Sequence, residues 1–430
     1  MAFATNICAR NFQVYPSQIS KLSALSPGDT ILIAPGLYED VQINFEASGT
    51  KSNPIVLTVE EAGSVVFSGK SFLHLKGSFL IAENIHFKDP VPVQSISPIQ
   101  LKTENSVLRN CIITGFNTKE DDTTDNKWIS VYGRNNIVES CSFYDKRNIG
   151  CLLVVWLEEG VVPSHKILNN YFYRPSIIRD SDGGKKNGQE CLRIGTSQFS
   201  MQDGNCLVSG NTFYRCDSEI EVISNKSCNN IYTGNLFLET QGALTLRHGN
   251  GSLVKGNFFI GNDKSGTAGI RVIGENHTIV CNYFENIKGI KYQSAICLIQ
   301  GVKDSPLNRY FQVKNVKISG NIINNCSSGI LISYGESEDQ SLPVISTSIT
   351  DNIIINDKTQ GIAMSLVDKP YIPEIIYNNN LVYKGSFKNF DTTKVTLPDE
   401  KPVYADMQSV WLSIIKSCGA KWDSNKLNKI

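Results

Sequence analysis

The chain lacks the features that mark several broad classes of protein. It has no run of about 18 apolar residues, so no membrane-spanning segment is predicted. Its start, MAFATNICARNF, does not combine a charged stretch with a following apolar run, so no signal peptide is predicted in this chain. Its 41 basic and 41 acidic residues cancel, which argues against a general nucleic-acid binder.

The cysteines also exclude two kinds of site. The 12 cysteines are scattered from Cys8 to Cys418 and form no CxxC pair. This spacing favours neither a zinc site nor a disulfide framework. We interpret them as small residues that fill interior positions.

What is present indicates a repeat protein. The chain has 430 residues, 41% of them hydrophobic, which is long for one compact domain but ordinary for an elongated fold. An asparagine followed by aromatic or aliphatic residues recurs at these positions: Asn110, Asn170, Asn211, Asn235, Asn257, Asn282, Asn321 and Asn352. The spacings from Asn211 to Asn282 are 24, 22 and 25 residues, about one coil of a solenoid.

This repeat predicts an all-β fold, a single-stranded right-handed parallel β-helix. Asparagines at one bend of each coil would hydrogen-bond to their equivalents above and below. A β-sandwich is the alternative, but sandwiches keep no common phrase at coil spacing, and the leucine pattern of leucine-rich repeats is missing. We predict one domain over residues 1–430, with short helical caps at about 16–26 and about 407–418 that cover the open ends of the core.

Three short segments alternate apolar and charged residues. In the first, Ile220 and Val222 would face one side of a strand and Glu219 and Glu221 the other. Arg247 and Arg271 take outward positions one and two coils later, and Arg193 about one coil earlier. Stacked coils would therefore place acids and arginines in one outward column, with Lys226 just past the first strand. Such a wall suits an anionic polymer.

Each of these residues also has an ordinary interpretation. Glu219 and Glu221 could bind Ca²⁺ with an oxygen from Asn187, or form a solvated pair that faces the arginines. Lys226 could be a general base, because neighbouring cations favour a neutral amine, or a surface lysine. His248 follows Arg247 directly, so the pleat would turn it away unless the strand ends there.

At these residues the chain resembles polysaccharide lyase family 6, the β-helical alginate lyases and the related chondroitin lyase B. The likeness runs through PGDTILIAPGLYED, NGQECLRIG, EIEVISNKS, LTLRHGN and GIRVIGENHTIVCNYF. It implies Lys226 as the base and Arg247 as its catalytic partner. It also implies Asn187, Glu219 and Glu221 as Ca²⁺ ligands, and substrate contacts from Arg193, His248 and Arg271.

The resemblance implies β-elimination on a uronic-acid polymer. Alginate is the first candidate, a dermatan or chondroitin-type glycosaminoglycan the second, and a pectate-like polymer the third. A non-catalytic polysaccharide-binding β-helix is the alternative of a different class. A monomer is expected, with an anionic polysaccharide as partner, neither nucleic acid nor membrane, and a secreted or periplasmic location.

Overall fold

The computed structural model describes residues 9–22, 24–119, 122–335, 337–366, 374–424 and 426 of the chain. Cys8 and the rest of the first eight residues lie outside this part. Nearly all of the strands belong to three long parallel sheets, and each coil adds one strand to sheet A, then to sheet B, then to sheet C. The chain is a right-handed parallel β-helix, as predicted.

The strands are numbered in chain order. The strands of sheet A are β1 (Asn11–Val14), β2 (Thr30–Ile33), β5 (Ile55–Val59), β8 (Leu80–Glu83), β11 (Val107–Arg109), β14 (Ile137–Glu139), β17 (Lys166–Leu168), β20 (Leu207–Ser209), β23 (Ile231–Thr233), β26 (Leu253–Lys255), β29 (Thr278–Val280), β33 (Lys317–Ser319), β37 (Thr347–Thr350) and β40 (Ile375–Asn378).

The strands of sheet B are β3 (Gly36–Glu39), β6 (Val65–Gly69), β9 (His86–Pro90), β12 (Ile112–Thr114), β15 (Ser142–Tyr144), β18 (Tyr171–Tyr173), β21 (Thr212–Tyr214), β24 (Leu236–Leu238), β27 (Phe258–Ile260), β30 (Tyr283–Glu285), β34 (Ile322–Asn324), β38 (Ile353–Ile355) and β41 (Leu381–Tyr383).

The strands of sheet C are β4 (Gln42–Ser48), β7 (Phe72–Ser78), β10 (Ile99–Glu104), β13 (Ile129–Arg134), β16 (Leu153–Val155), β19 (Leu192–Gly195), β22 (Glu221–Lys226), β25 (Ala243–His248), β28 (Ile270–Val272), β31 (Ile296–Ile299), β35 (Ser328–Tyr334), β39 (Ile362–Leu366) and β42 (Ser386–Lys388). A separate antiparallel pair joins β32 (Gly301–Val302) to β36 (Gln340–Leu342).

The described helices are few and short. They are α1 (Pro16–Ile19), α2 (Gln408–Ser417) and the 3-10 helices Ser197–Phe199, Lys291–Gln293 and Thr392–Lys394. Among the described residues, none of the helices has the length and apolar character needed to cross a membrane.

The two helices differ from the predicted caps. The N-terminal helix is only one turn long, although Ile19 is buried in the core and Leu22 and Leu25 pack against it. The C-terminal helix does not lie over the end of the core. Instead, Ile415 packs on outward side chains of sheet B such as Leu236. The sequence predicted the position of this C-terminal helix correctly, but an apolar stripe on a helix does not specify which surface of the protein the helix covers.

The asparagine ladder runs from Asn170 to Asn380. The Asn211 side-chain amide donates to Asn235 Oδ1 at 2.9 Å, and the Asn235 amide donates to Asn257 Oδ1 at 2.9 Å. Ladder asparagines are buried, so each hydrogen bond satisfies a polar group that water does not reach. Asn110 is not a member, contrary to the prediction, because it precedes the ladder position, which Cys111 occupies.

The residue before each ladder position turns the chain. Gly210, Gly234 and Gly256 have φ values of +67°, +60° and +63°. Asn169 and Cys281 hold the equivalent place with φ of +52° and +55°. This left-handed residue bends the coil from sheet A into sheet B, and glycine adopts it without a steric penalty.

The core repeats the same residue type coil after coil. Inside sheet B, Phe213, Phe237 and Phe259 stack with ring centroids 5.0 and 4.5 Å apart. In sheet C, Leu192, Ile223, Leu244 and Ile270 occupy one inward row. The described cysteines form no disulfide with one another. All except Cys281 are buried, as predicted for residues that fill interior positions. The regular interior fixes which residues of sheet C face outward.

Candidate active site

The outward face of sheet C carries a row of polar residues. Strand register aligns Arg193 with Ser224, Ser224 with Thr245, and Thr245 with Arg271. These four residues are the outward row. The predicted single column is therefore correct for Arg193 and Arg271 but wrong for Arg247, which lies two positions farther along its strand.

A first β-bulge explains how the glutamates reach this face. Glu221 pairs with Ala243 but Ile223 pairs with Leu244, so Val222 is an extra residue. Both Val222 and Ile223 point into the core. The bulge therefore turns Glu221 outward, although it differs from the outward Ser224 by an odd number of positions. Ile220, predicted to share the inward side with Val222, is only partly buried.

A second bulge lies at Arg247. Asn225 pairs with Leu246, but Lys226 pairs with His248, so Arg247 is the extra residue. His248 consequently lies opposite Lys226 rather than being turned away by the pleat. Burial and the charges of Arg247 and Lys226 lower the pKa of His248 to about 3, which keeps the imidazole neutral at physiological pH.

Glu221 is shared by two arginines. Its Oε1 lies 3.6 Å from Arg247 Nε and 3.6 Å from Arg271 Nη1. The Arg271 side chain is 2% exposed and that of Arg247 16%. One carboxylate thus partly balances two guanidinium groups, and the remaining positive charge faces a site suited to an anion.

Glu219 lies deeper, beside a second buried acid. Its Oε1 accepts a hydrogen bond from the Ile220 amide at 2.9 Å, and its Oε2 accepts one from the Gln189 amide at 3.5 Å. Burial, the charge of Glu190 and that of Glu221 raise the pKa of Glu219 to about 8. Glu190, which the sequence analysis did not single out, therefore completes a group of three crowded carboxylates with Glu219 and Glu221.

Crowded carboxylate oxygens suit a hard cation. Asn187 is exposed in the loop before β19, two residues from the Gln189 amide that contacts Glu219. Among the described residues, no three or more His, Cys, Asp or Glu side chains are arranged to hold a metal ion by themselves. Asn187, Glu219 and Glu221 would supply two carboxylates and an amide oxygen, which is a donor set suited to Ca²⁺.

Lys226 is half-buried at the end of β22. Its ammonium group forms neither an ion pair nor a hydrogen bond with any described residue. A lysine held beside Arg247 and His248 without an acid partner is available to act on a ligand.

Several polar atoms at the centre of the site also lack partners within the described part of the chain. They are Arg193 Nε, Ser224 Oγ, Thr245 Oγ1 and His248 Nδ1, all of them buried. Buried donors and acceptors are almost always satisfied, so unpaired ones in one small area indicate water or ligand. Arg193 and His248, two predicted substrate contacts, belong to this set.

Tyr310 is a site residue that sequence reasoning missed. Its hydroxyl accepts a hydrogen bond from Arg271 Nη2 at 3.1 Å, and its ring centroid lies 4.4 Å from the Arg247 guanidinium carbon. Tyr310 lies 39 residues beyond Arg271, in the long insertion between Asn282 and Asn321. The stretched repeat spacing predicts an inserted loop there but not where the loop packs.

Comparison with known proteins agrees with this geometry. The family model for chondroitinase B matches residues 17–409. The alginate lyase AlyGC of polysaccharide lyase family 6 is 31% identical, with a TM-score of 0.83 over 97% of this chain and 58% of that one. The chain therefore spans only about three-fifths of the length of AlyGC.

Two further structures match along nearly their whole length. A mannuronic acid-specific family 6 lyase from human gut microbiota is 26% identical, with a TM-score of 0.84 over 97% of this chain and 98% of that one. The family 6 lyase Pedsa3628 from Pseudopedobacter saltans is 27% identical, with a TM-score of 0.75 over 96% and 99%. No curated protein matches the chain.

Proposed function

Because the chain belongs to the chondroitinase B family, which includes the alginate lyases of polysaccharide lyase family 6, we propose that it cleaves alginate by β-elimination. The observation that supports this most strongly is the arrangement around Lys226. The Lys226 amine lies beside His248 and Arg247 and has no acid partner within the described part of the chain, and Arg247 and Arg271 share the Glu221 carboxylate.

The proposed reaction begins at C5 of a uronate. The amine of Lys226 takes the C5 proton, and the electron pair of that bond forms a C4=C5 double bond as the C4–O4 bond breaks. The departing oxygen acquires a proton and becomes a new chain end, while the other fragment ends in an unsaturated uronate. Arg247 stabilises the negative charge that develops along this path.

The arginines also orient the polymer. Arg193 and Arg271 occupy the outward row on either side of the lysine strand, where their guanidinium groups can pair with uronate carboxylates. His248 is neutral, so its unpaired buried Nδ1 can take part in a hydrogen bond with a sugar hydroxyl. Held by Asn187, Glu219 and Glu221, Ca²⁺ would supply positive charge at the carboxylate next to C5.

A dermatan-type glycosaminoglycan is the second candidate substrate, since the matching family model is that of chondroitinase B. We further propose that the protein acts as a monomer in a secreted or periplasmic location, where such polymers are met.

An ultraviolet assay separates these possibilities. Polymannuronate, polyguluronate, mixed alginate and dermatan sulfate are incubated with the protein, with calcium and after EDTA treatment. Rising absorbance on an alginate substrate supports the proposal, and a rise on dermatan sulfate alone favours the second candidate. Binding to the polymers without any rise would contradict both and favour a non-catalytic binding protein. An EDTA-treated, metal-free protein that keeps its full rate would remove the calcium role.

A further inference from the structure

The groove on sheet C is closed on one side of the site. Beyond Arg271, the outward row continues with Cys297 and Leu331, which are apolar and buried. Tyr310 and Tyr334 pack over them. A sugar cannot lie on the sheet past Arg271 because side chains already cover that surface.

An inserted loop forms the wall at this end. Residues 303–312, here called the closing loop, follow β32, which pairs with β36 from the next coil, and Arg309 forms an ion pair with Asp339. The loop reaches back to the reacting centre, since Arg247 donates hydrogen bonds to the carbonyls of Arg309 at 3.0 Å and Asn308 at 3.3 Å. The closing loop, which forms the wall, therefore contacts Arg247 directly.

The opposite direction is lined by charged and aromatic side chains. The Arg193 guanidinium lies 5.2 Å from the Trp156 ring centroid, and the Trp156 and Tyr132 rings are nearly parallel at 6.0 Å. The Lys102 ammonium lies 5.4 Å from the Tyr132 ring. These four residues come from successive strands of sheet C and are called the stacked row.

The stacked row leads directly to Lys226. From β10 to β22 there are four strand spacings, about 19 Å in total, and each spacing is comparable to one sugar unit of an extended polymer. Gly195 pairs with Lys226 and has no side chain to block the path. Lys102 is exposed and forms no ion pair with a described residue, whereas Lys76, one strand farther, is paired with Glu46 at 3.0 Å. Of these two lysines, Lys102 is therefore the one left to bind an anion.

We propose that the stacked row is an extended binding track for an anionic polysaccharide, and that the closing loop limits the polymer to this one direction. The track holds the longer part of the polysaccharide through the cations at the two ends of the track, Arg193 and Lys102, and through the aromatic surface between them. Only a short fragment fits between Lys226 and the wall. Cleavage then releases short products from one end of the polymer, a conclusion that rests on the proposed lyase activity.

The product pattern tests the closed end. The wild-type protein is given long alginate while ultraviolet absorbance, viscosity and product sizes are followed together. We expect mono- to trisaccharides from the earliest time points and a slow fall in viscosity. Early products of many sizes, with a viscosity that collapses before much absorbance appears, would overturn the closed-end part.

Binding measurements test the track without depending on catalysis. In a Lys226→Ala background, calorimetry compares the affinities of a trimer and a hexamer of mannuronate. Adding Lys102→Ala should lower the ratio of hexamer to trimer affinity about fivefold. Lys166→Ala, which removes an exposed lysine from sheet A, should leave that ratio unchanged. An unchanged ratio in the Lys102 variant, with an unaltered melting temperature, would overturn the track even if the protein proves to be a lyase.

Discussion

Lys226 lies directly opposite His248, and not opposite Arg247, in the pairing of β22 with β25. The bulge at Arg247 produces this register and brings Lys226, Arg247 and His248 together. Bulges occur often beside active sites because they re-aim side chains without disturbing the strands around them. Here the Lys226 amine and the Arg247 guanidinium both lie close enough to His248 for their charges, together with burial, to lower its pKa.

The first prediction concerns the base. Lys226→Ala should lower the rate of product formation by at least about 1,000-fold, because no other group takes the C5 proton. Lys226→Arg should be equally inactive, since a guanidinium stays protonated. Ultraviolet absorbance measures the rate, and an unchanged melting temperature shows an intact fold. Lys255→Ala, on the exposed face of sheet A, is the matched control; a Lys226 variant as active as this control would remove the proposed base.

The second prediction concerns the shared carboxylate. Glu221→Gln removes the carboxylate charge that Arg247 and Arg271 share, together with one proposed calcium ligand. We expect calcium affinity to fall about 10- to 100-fold, as it does when groups that support a metal are removed, with a matching loss of rate. Calorimetric calcium titration and the absorbance assay measure both effects. Glu239→Gln, which breaks an ion pair with Arg215 on sheet B, should change neither, and equal effects in the two variants would contradict the assignment.

The third prediction concerns Tyr310. Tyr310→Phe keeps the ring beside Arg247 but loses the hydroxyl bonded to Arg271, so kcat/KM should fall only about threefold. Tyr310→Ala also removes the ring and should cost more than about tenfold. Steady-state kinetics on defined oligomers separates kcat from KM. Tyr38→Phe removes a remote hydroxyl bonded to Ala34 and serves as the control, and full activity in Tyr310→Ala would show that the ring does not position the arginines.

The fourth prediction concerns the ladder. Asn235→Ala removes the oxygen that accepts hydrogen bonds from both the backbone amide and the side-chain amide of Asn211, which should lower the free energy of unfolding by about 2–3 kcal/mol. Asn44→Ala removes an exposed asparagine side chain from β4 and should cost less than about 0.5 kcal/mol. Urea denaturation measures both variants. Equal stabilities would show that the ladder does not contribute to stability.

The fifth prediction concerns acid stability. Burial lowers the pKa of His165 to about 3, below its unfolded value near 6.5, and its Nδ1 accepts a hydrogen bond from the Asn136 amide at 3.0 Å. Between about pH 6.5 and pH 3, His165 is protonated in the unfolded state but neutral in the folded state. The free energy of unfolding therefore falls as pH decreases from about 6.5 towards 3. At pH 4 this one group should cost about 3 kcal/mol.

Thermal unfolding from pH 7 to pH 4 checks this slope. His165→Gln keeps an acceptor but cannot titrate, so its melting temperature should depend less on pH, even if it is lower overall. An identical pH dependence in both proteins would show that His165 does not control acid stability.

The periodic features of the fold were predictable from the sequence. Asn211, Asn235 and Asn257 recur at coil spacing because each coil must satisfy the same buried backbone groups. Phenylalanines stack at one inward position because that position has similar apolar surroundings in successive coils. The candidate residues Arg193, Arg247 and Arg271 were also recognisable, since they alternate with core residues in short strands, and Lys226 was recognisable from its place just past one of these strands. A periodic core imposes these patterns on every coil, so they can be predicted from the sequence alone.

Only the tertiary structure decided how these residues meet. Glu221 and Lys226 are five positions apart and would face opposite sides of a regular strand, and the bulge at Val222 is what brings them to one face. Likewise, Tyr310 reaches Arg247 and Arg271 through a loop whose packing no repeat specifies. Bulges and inserted loops interrupt the periodicity, and their geometry depends on contacts with neighbouring coils that a single sequence does not encode in any local pattern.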